Sequence, residues 1–235
     1  MLKVRLKFSK NGVMRYIGHL DLMRYFQKAM RRANVPVALS GGYSPHMIMS
    51  FALPLSVGQT ADGDYMDIAL SEEIDFHQTI ADLNQVMVEG IEVQDIVPVS
   101  DDRRQGGMAI VAAASYLVSF KETQEIPADW SEKCQSFMAE DEIRIVKKTK
   151  RSEKEVNIRP FIFEMRVEEG GIYLLLAAGS SANLKPDLVL KAFLDYVGAA
   201  VDTPMHFHRL DLYYREADEF RALGDVKDDR KRSLS

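Results

Sequence analysis

Five side chains within the first fifty residues are of the types that chemistry needs: His19, Asp21, Ser40, Ser44 and His46. A hydroxyl, an imidazole and a carboxylate are the parts of a hydrolytic triad, in which the imidazole takes the hydroxyl proton and the carboxylate orients the ring. Neither serine sits in a nucleophile-elbow sequence, and geometry rather than spacing identifies a triad. The plainer reading makes His19 and Asp21 helix-start capping residues and leaves Ser40, Ser44 and His46 to line a polar pocket. His19, His46, His206 and His208 are also possible metal ligands, and the last two share a face if they lie on a strand. No His-Glu-x-x-His or paired-cysteine spacing accompanies them. They read as ordinary hydrogen-bonded imidazoles, and no metal or other cofactor is expected.

A second set of residues suits phosphate. Arg24, Lys28, Arg31 and Arg32 recur along one stretch, and Lys148, Lys150, Arg151 and Arg159 fall in a later basic run. Cations spaced like this can follow a nucleic-acid backbone, although charge runs are as often solvated surface. Tyr16, Tyr43 and Phe51 lie near the first set, where aromatic rings could stack on unpaired bases or fill the core.

The elements that must carry these groups follow from periodicity. Leu20, Met23, Tyr25, Phe26, Met30 and Ala33 recur at helical spacing, so a basic amphipathic helix is expected over 20–33. Asp21 suits its first turn, and Pro36 stands just beyond its end. Residues 40–46 form a Gly-, Ser- and Pro-containing loop directly after it. Strands are expected over 2–9, 47–54, 65–70 and 91–97, with a second helix over 76–88. The order β-α-β-β-α-β is that of a split β-α-β, ferredoxin-like unit. After a polar stretch at 101–107 a similar order is read again: strands at 116–121, 143–146, 162–167, 171–177 and 205–214, helices at 130–138 and 186–197. Residues 109–114 are small and match no single element. The expected fold is α+β, with two ferredoxin-like halves built on antiparallel sheets. The halves span 1–100 and 108–214, and 215–235 is a charged flexible tail.

Composition narrows the class. The chain has 235 residues, 46% apolar and 28% charged, as folded domains do. No apolar run approaches the roughly 20 residues of a membrane helix, and the alternating first residues read as a strand rather than a signal peptide. Cys134 is the single cysteine, which excludes an intrachain disulfide and an iron–sulfur cluster held by this chain's own thiolates. Cytoplasmic location is expected. The net charge of −5 is unevenly spread. Asp21 is the only acid in residues 1–60 against nine bases, whereas 61–102 holds no Lys or Arg and many acids. Either the two blocks neutralise each other in the fold or the first presents a basic face.

The stretch Arg15-Tyr16-Ile17-Gly18-His19-Leu20-Asp21-Leu22, the loop Tyr43-Ser44-Pro45-His46 and the run from Lys154 to Pro160 together resemble the radical SAM-linked protein family, bacterial proteins of unknown function. Members of that family stand alone beside a radical SAM protein or are fused behind one. Relative to the family pattern, this chain has Gly41 for an acid, Met47 and Ile48 near expected Pro and Lys, and Asn157 for Asp. The resemblance implies a radical SAM partner and, from genomic neighbours, RNA metabolism; it implies no reaction for this chain. The leading expectation is an accessory RNA-binding or substrate-presenting module without a complete catalytic set. The alternatives are an RNA-modifying enzyme using Asp21 or His46 as acid or base, and a module that docks a protein through 61–102.

Overall fold

The computed structural model describes residues 2–120, 129–148, 153–169, 171–199 and 204–226. Strand β1 (Leu2–Lys10) alternates as its sequence requires. Leu6 and Phe8 go under the helices and Lys3, Arg5 and Lys7 to the other face. A 3-10 turn (Gly12–Tyr16) leads into α1 (His19–Arg32), whose buried face is Leu22, Phe26, Ala29 and Met30. Phe26 meets Phe8 edge to face at 4.8 Å, and burying each large side chain of this kind contributes about 1.5–3 kcal/mol. Asn34 takes a left-handed backbone just past the helix, at φ 52°, a conformation its short polar side chain tolerates. Strands β2 (Met49–Phe51) and β3 (Thr60–Leu70), helix α2 (Phe76–Val86) and strand β4 (Ile91–Val99) complete the first half. The Asp75 carboxylate caps α2, accepting from the Gln78 N–H at 2.9 Å.

The stretch 101–110 is a packed connection of two short helical turns. The second is α3 (Gly107–Ile110), and Gly107 lies buried against Arg5 and Asp67. Then come β5 (Val111–Phe120), α4 (Trp130–Ala139), β6 (Arg144–Lys148), β7 (Glu153–Asn157), β8 (Ile162–Glu168), β9 (Gly171–Ala177), α5 (Pro186–Val197), β10 (Met205–Glu216) and β11 (Glu219–Ala222). The small residues 111–114 open β5, a central strand flanked by β10 and β9; both its neighbours pack closely, which is where small side chains fit.

The fold is mixed α+β with mostly antiparallel pairing. In the first half β4-β1-β3 are neighbours and β2 pairs β3; in the second the order is β10-β5-β9-β8. Both sets place the fourth strand beside the first, then the third, then the second. The expectation of separate sheets is corrected: β10 pairs β3 in parallel, His208 opposite Thr60 and Arg209 opposite Ala61, so one nine-stranded sheet runs through both halves. β6 and β7 form a separate hairpin outside it. The expected flexible tail is also corrected in part. Residues 219–222 pair with β10, and Leu223 is buried, its carbonyl accepting from Arg5 Nη1 at 3.1 Å. Residues 227–235 lie outside the described residues. Among the described residues no helix is long and apolar enough to cross a membrane.

Candidate functional site

The basic residues of the first sixty positions separate into two populations. Three strand bases, Arg5, Lys7 and Lys10, meet acids within the fold. Arg5 meets Asp67 through Nε at 2.7 Å and Nη2 at 3.1 Å, with both side chains buried. Lys7 Nζ meets Asp211 at 2.8 Å, and Tyr65 donates to the same carboxylate at 2.6 Å. Lys10 lies buried near Asp64 and Arg209. The helix bases are different: Arg24, Lys28, Arg31 and Arg32 are all exposed. Arg24 pairs with Asp21 at 3.2 Å, and Arg32 donates to the Val86 carbonyl at the end of α2 at 3.2 Å. Lys28 and Arg31 have no ion-pair partner among the described residues. Asp67 and Asp64 of the acidic segment, with Asp211 from beyond it, therefore face Arg5, Lys10 and Lys7, while α1 stays cationic.

Loop 40–46 is shaped by its own polar groups. Ser40 Oγ lies 2.8 Å from His46 Nδ1 and accepts from the His46 N–H at 3.1 Å. A backbone bond from the Ser40 N–H to the His46 carbonyl, 2.8 Å, closes the loop. Gly42, at φ 98°, makes the turn, and Tyr43 is fully exposed. Ser44 is exposed with no hydrogen bond among the described residues. A triad is not assembled: Asp21 is bound to Arg24, and His46 has Ser40 but no carboxylate. The capping reading is corrected too. The N-cap of α1 is Gly18, without a side-chain bond; His19 instead lies edge-on to Phe51 at 5.3 Å. No hydrogen bond or ion pair joins the α1 bases to the loop among the described residues, and Arg32 turns towards α2.

The later basic run is split. Lys148 ends β6, and Lys150 and Arg151 lie outside the described residues. Arg159 is a tie within the fold, donating to the Met138 and Ile162 carbonyls, each at 3.1 Å.

A group not foreseen as a unit lies where β3 meets β10. Thr60 Oγ1 is 2.7 Å from His208 Nδ1 and 3.1 Å from His206 Nε2, and His208 Nε2 is 3.0 Å from Asp62. Asn11 donates to the other Asp62 oxygen at 3.0 Å. With His208 neutral, its Nε2–H faces the carboxylate, so Nδ1 accepts from the Thr60 hydroxyl, which accepts from His206. Thr60 is 5% exposed, so this chain joins the halves rather than presenting a hydroxyl. Across the sheet, Arg209 Nη2 lies 3.0 Å from Asp64, an ion pair without hydrogen-bond alignment. Burial raises the Asp64 carboxyl above its ordinary range, against the pull of Arg209 and Lys10. Only the shared face of His206 and His208 was visible in the sequence; their partners stand some 150 positions earlier in the chain, on the scale of the separations of 146 and 148. No three His, Cys, Asp or Glu side chains among the described residues converge as a metal ion would need.

A family model described as an uncharacterized protein conserved in bacteria (DUF2344) matches residues 3–186. The chain belongs to the DUF2344 family. The DUF2344 match takes in α1, loop 40–46 and the whole first half, and stops as α5 begins, so His206, His208 and Arg209 lie beyond it. No curated protein matches the chain. Among solved structures it is similar to a chain of the "Crystal Structure of a Cbf5-Nop10-Gar1 Complex", at 12% identity and a TM-score of 0.44. That likeness covers 92% of this chain but 50% of the other, so the chain spans half the length of that neighbour.

Proposed function

We propose that this DUF2344 chain is a cytoplasmic accessory module that binds RNA, or presents an RNA substrate, for a radical SAM protein, and contributes no complete catalytic set. The observation that supports this is the uncompensated charge of α1. Arg24, Lys28, Arg31 and Arg32 stand exposed with Asp21 as their one paired acid among the described residues, while Arg5, Lys7 and Lys10 of β1 face Asp67, Asp211 and Asp64. A helix with this surface recognises phosphate through charge rather than base identity. The exposed Tyr43 in the adjoining loop supplies a ring on which an unpaired base can stack. The radical SAM partnership rests on the sequence resemblance.

The test is a titration of the full chain with a single-stranded RNA at several salt concentrations. Each phosphate contact contributes about 0.7 to the slope of log affinity against log salt for single strands. Changing Arg24, Lys28 and Arg31 together to Gln should weaken binding across sequences and flatten that slope by roughly 2. Equal affinity and slope in native and variant protein would leave the docking module as the better reading.

A further inference from the structure

A groove of about 550 Å³ runs between β6 and α5, far from α1 in the sequence and independent of the RNA reading. Five consecutive residues, 142–146, line it. Alternate side chains of a strand point to opposite faces, so a groove touched by every residue in turn runs along the strand's edge. Among the described residues that edge is unpaired: β6 bonds to β7 alone, and no β7 residue lines the groove. The free backbone groups of such an edge are a template for another strand.

The side chains fit an incoming strand. Phe137, Ile143 and Ala192 make an apolar floor. Val146 and Tyr196, 56% and 42% exposed, line the groove as well. Tyr196 is held edge-on to Phe137 at 5.3 Å and reaches Glu140 at 3.4 Å, so it is already placed. The rim is acidic. Glu142 and Glu155 hold Arg144 between them, at 2.7 and 3.1 Å. Glu140, Asp195 and Lys191 are the other charged side chains that line the groove among the described residues.

We propose that this groove takes an extended peptide segment of a partner protein, with alternating apolar and basic residues, added to β6 as a third strand of the hairpin. Backbone bonds to the β6 edge would give affinity and the apolar floor and acidic rim would give selectivity. A five-residue strand such as β6 extends about 17 Å at about 3.3 Å per residue, which sets the length of the segment. The same acids repel phosphate, which separates this surface from α1.

The experiment uses the full chain and a fluorescein-labelled Lys-Val-Lys-Val-Lys-Val-Lys peptide. Polarisation reads binding and amide exchange reads protection along β6. The expected result is saturable binding, slowed exchange in β6, and at least tenfold weaker binding in a Tyr196→Ala, Val146→Ser double variant. Both positions are exposed, and a circular dichroism melt verifies folding. Absence of saturable binding overturns the proposal. Equal binding of a Glu-Val peptide overturns its charge selectivity, and equal binding of a peptide N-methylated at alternate amides overturns strand addition. Displacement of the peptide by single-stranded RNA would make the groove part of a nucleic-acid surface instead.

Discussion

Arg5 and Asp67 show what a single charged residue does in this molecule. Asp67 accepts from Arg5 twice and from the Gly107 N–H at 2.6 Å, while Arg5 also reaches the Leu223 and Gln105 carbonyls. One guanidinium thus ties β1 to β3, to the connection between the halves and to the C-terminal turn. A buried pair can be neutral in net stability, but removing one partner strands the other charge away from water. Asp67→Ala should therefore cost about 3–5 kcal/mol, read as a lowered urea midpoint with an unchanged slope. A loss below about 1 kcal/mol, the size of an exposed pair, would contradict the burial.

Helix α4 shows how an element sets the chemistry of a residue it carries. Its inner face presents Cys134 and Phe137 to the second core, and Phe137 meets Phe193 of α5 at 5.3 Å. The thiol is almost wholly buried, and burial pushes its pKa from 9.0 up to about 11. In the unfolded chain the thiol ionises first, so the folded state loses stability as pH rises from 9.0 and the loss is complete above about 11. This amounts to about 2–3 kcal/mol for the two-unit shift. Urea titrations of native protein and Cys134→Ala at pH 8 and pH 11 should differ in their pH dependence by that amount. Parallel pH dependence would show that the thiol is not held in the core.

At the scale of the whole molecule, the joint between halves is short in backbone and rich in side chains. Two parallel register pairs connect β3 to β10. The Thr60, His206, His208 and Asp62 chain lies on one face and the Asp64–Arg209 pair on the other. Gly63 lets the strands approach: a Cβ there would stand 2.4 Å from the Leu210 carbonyl oxygen and 2.7 Å from the Asp211 Cα. Both obstacles are backbone, so they cannot turn aside. Gly63→Ala should cost about 2–3 kcal/mol, at the upper end for overpacking. Because one sheet includes both halves, calorimetric and van 't Hoff enthalpies should agree in the native protein. A wild-type midpoint in Gly63→Ala would mean that the two halves are not held this closely.

Local pattern was enough for the elements. The apolar period of α1, the alternation of β1 and the Pro186 start of α5 are properties of neighbouring residues, and those elements form within a residue or two of their expected bounds. The roles of the charges were not legible in that pattern. Arg5, Lys7 and Lys10 look like Arg24, Lys28 and Arg31 in the sequence, yet the first three are matched by acids 54 to 204 positions away. Whether a base is spent or free depends on which acid the sheet register sets opposite it. Likewise, Ser40 and His46 are close in sequence and meet, while Asp21, on the preceding helix, turns to Arg24. The sequence by itself determined the main helices and most strands, though not β7 or β11, and that α1 carries a cationic face. Only the tertiary structure decided that the two halves share one sheet, that Arg5, Lys7 and Lys10 are matched by acids, and that His206 and His208 bind Thr60, because each of these depends on strands distant in the chain coming into contact.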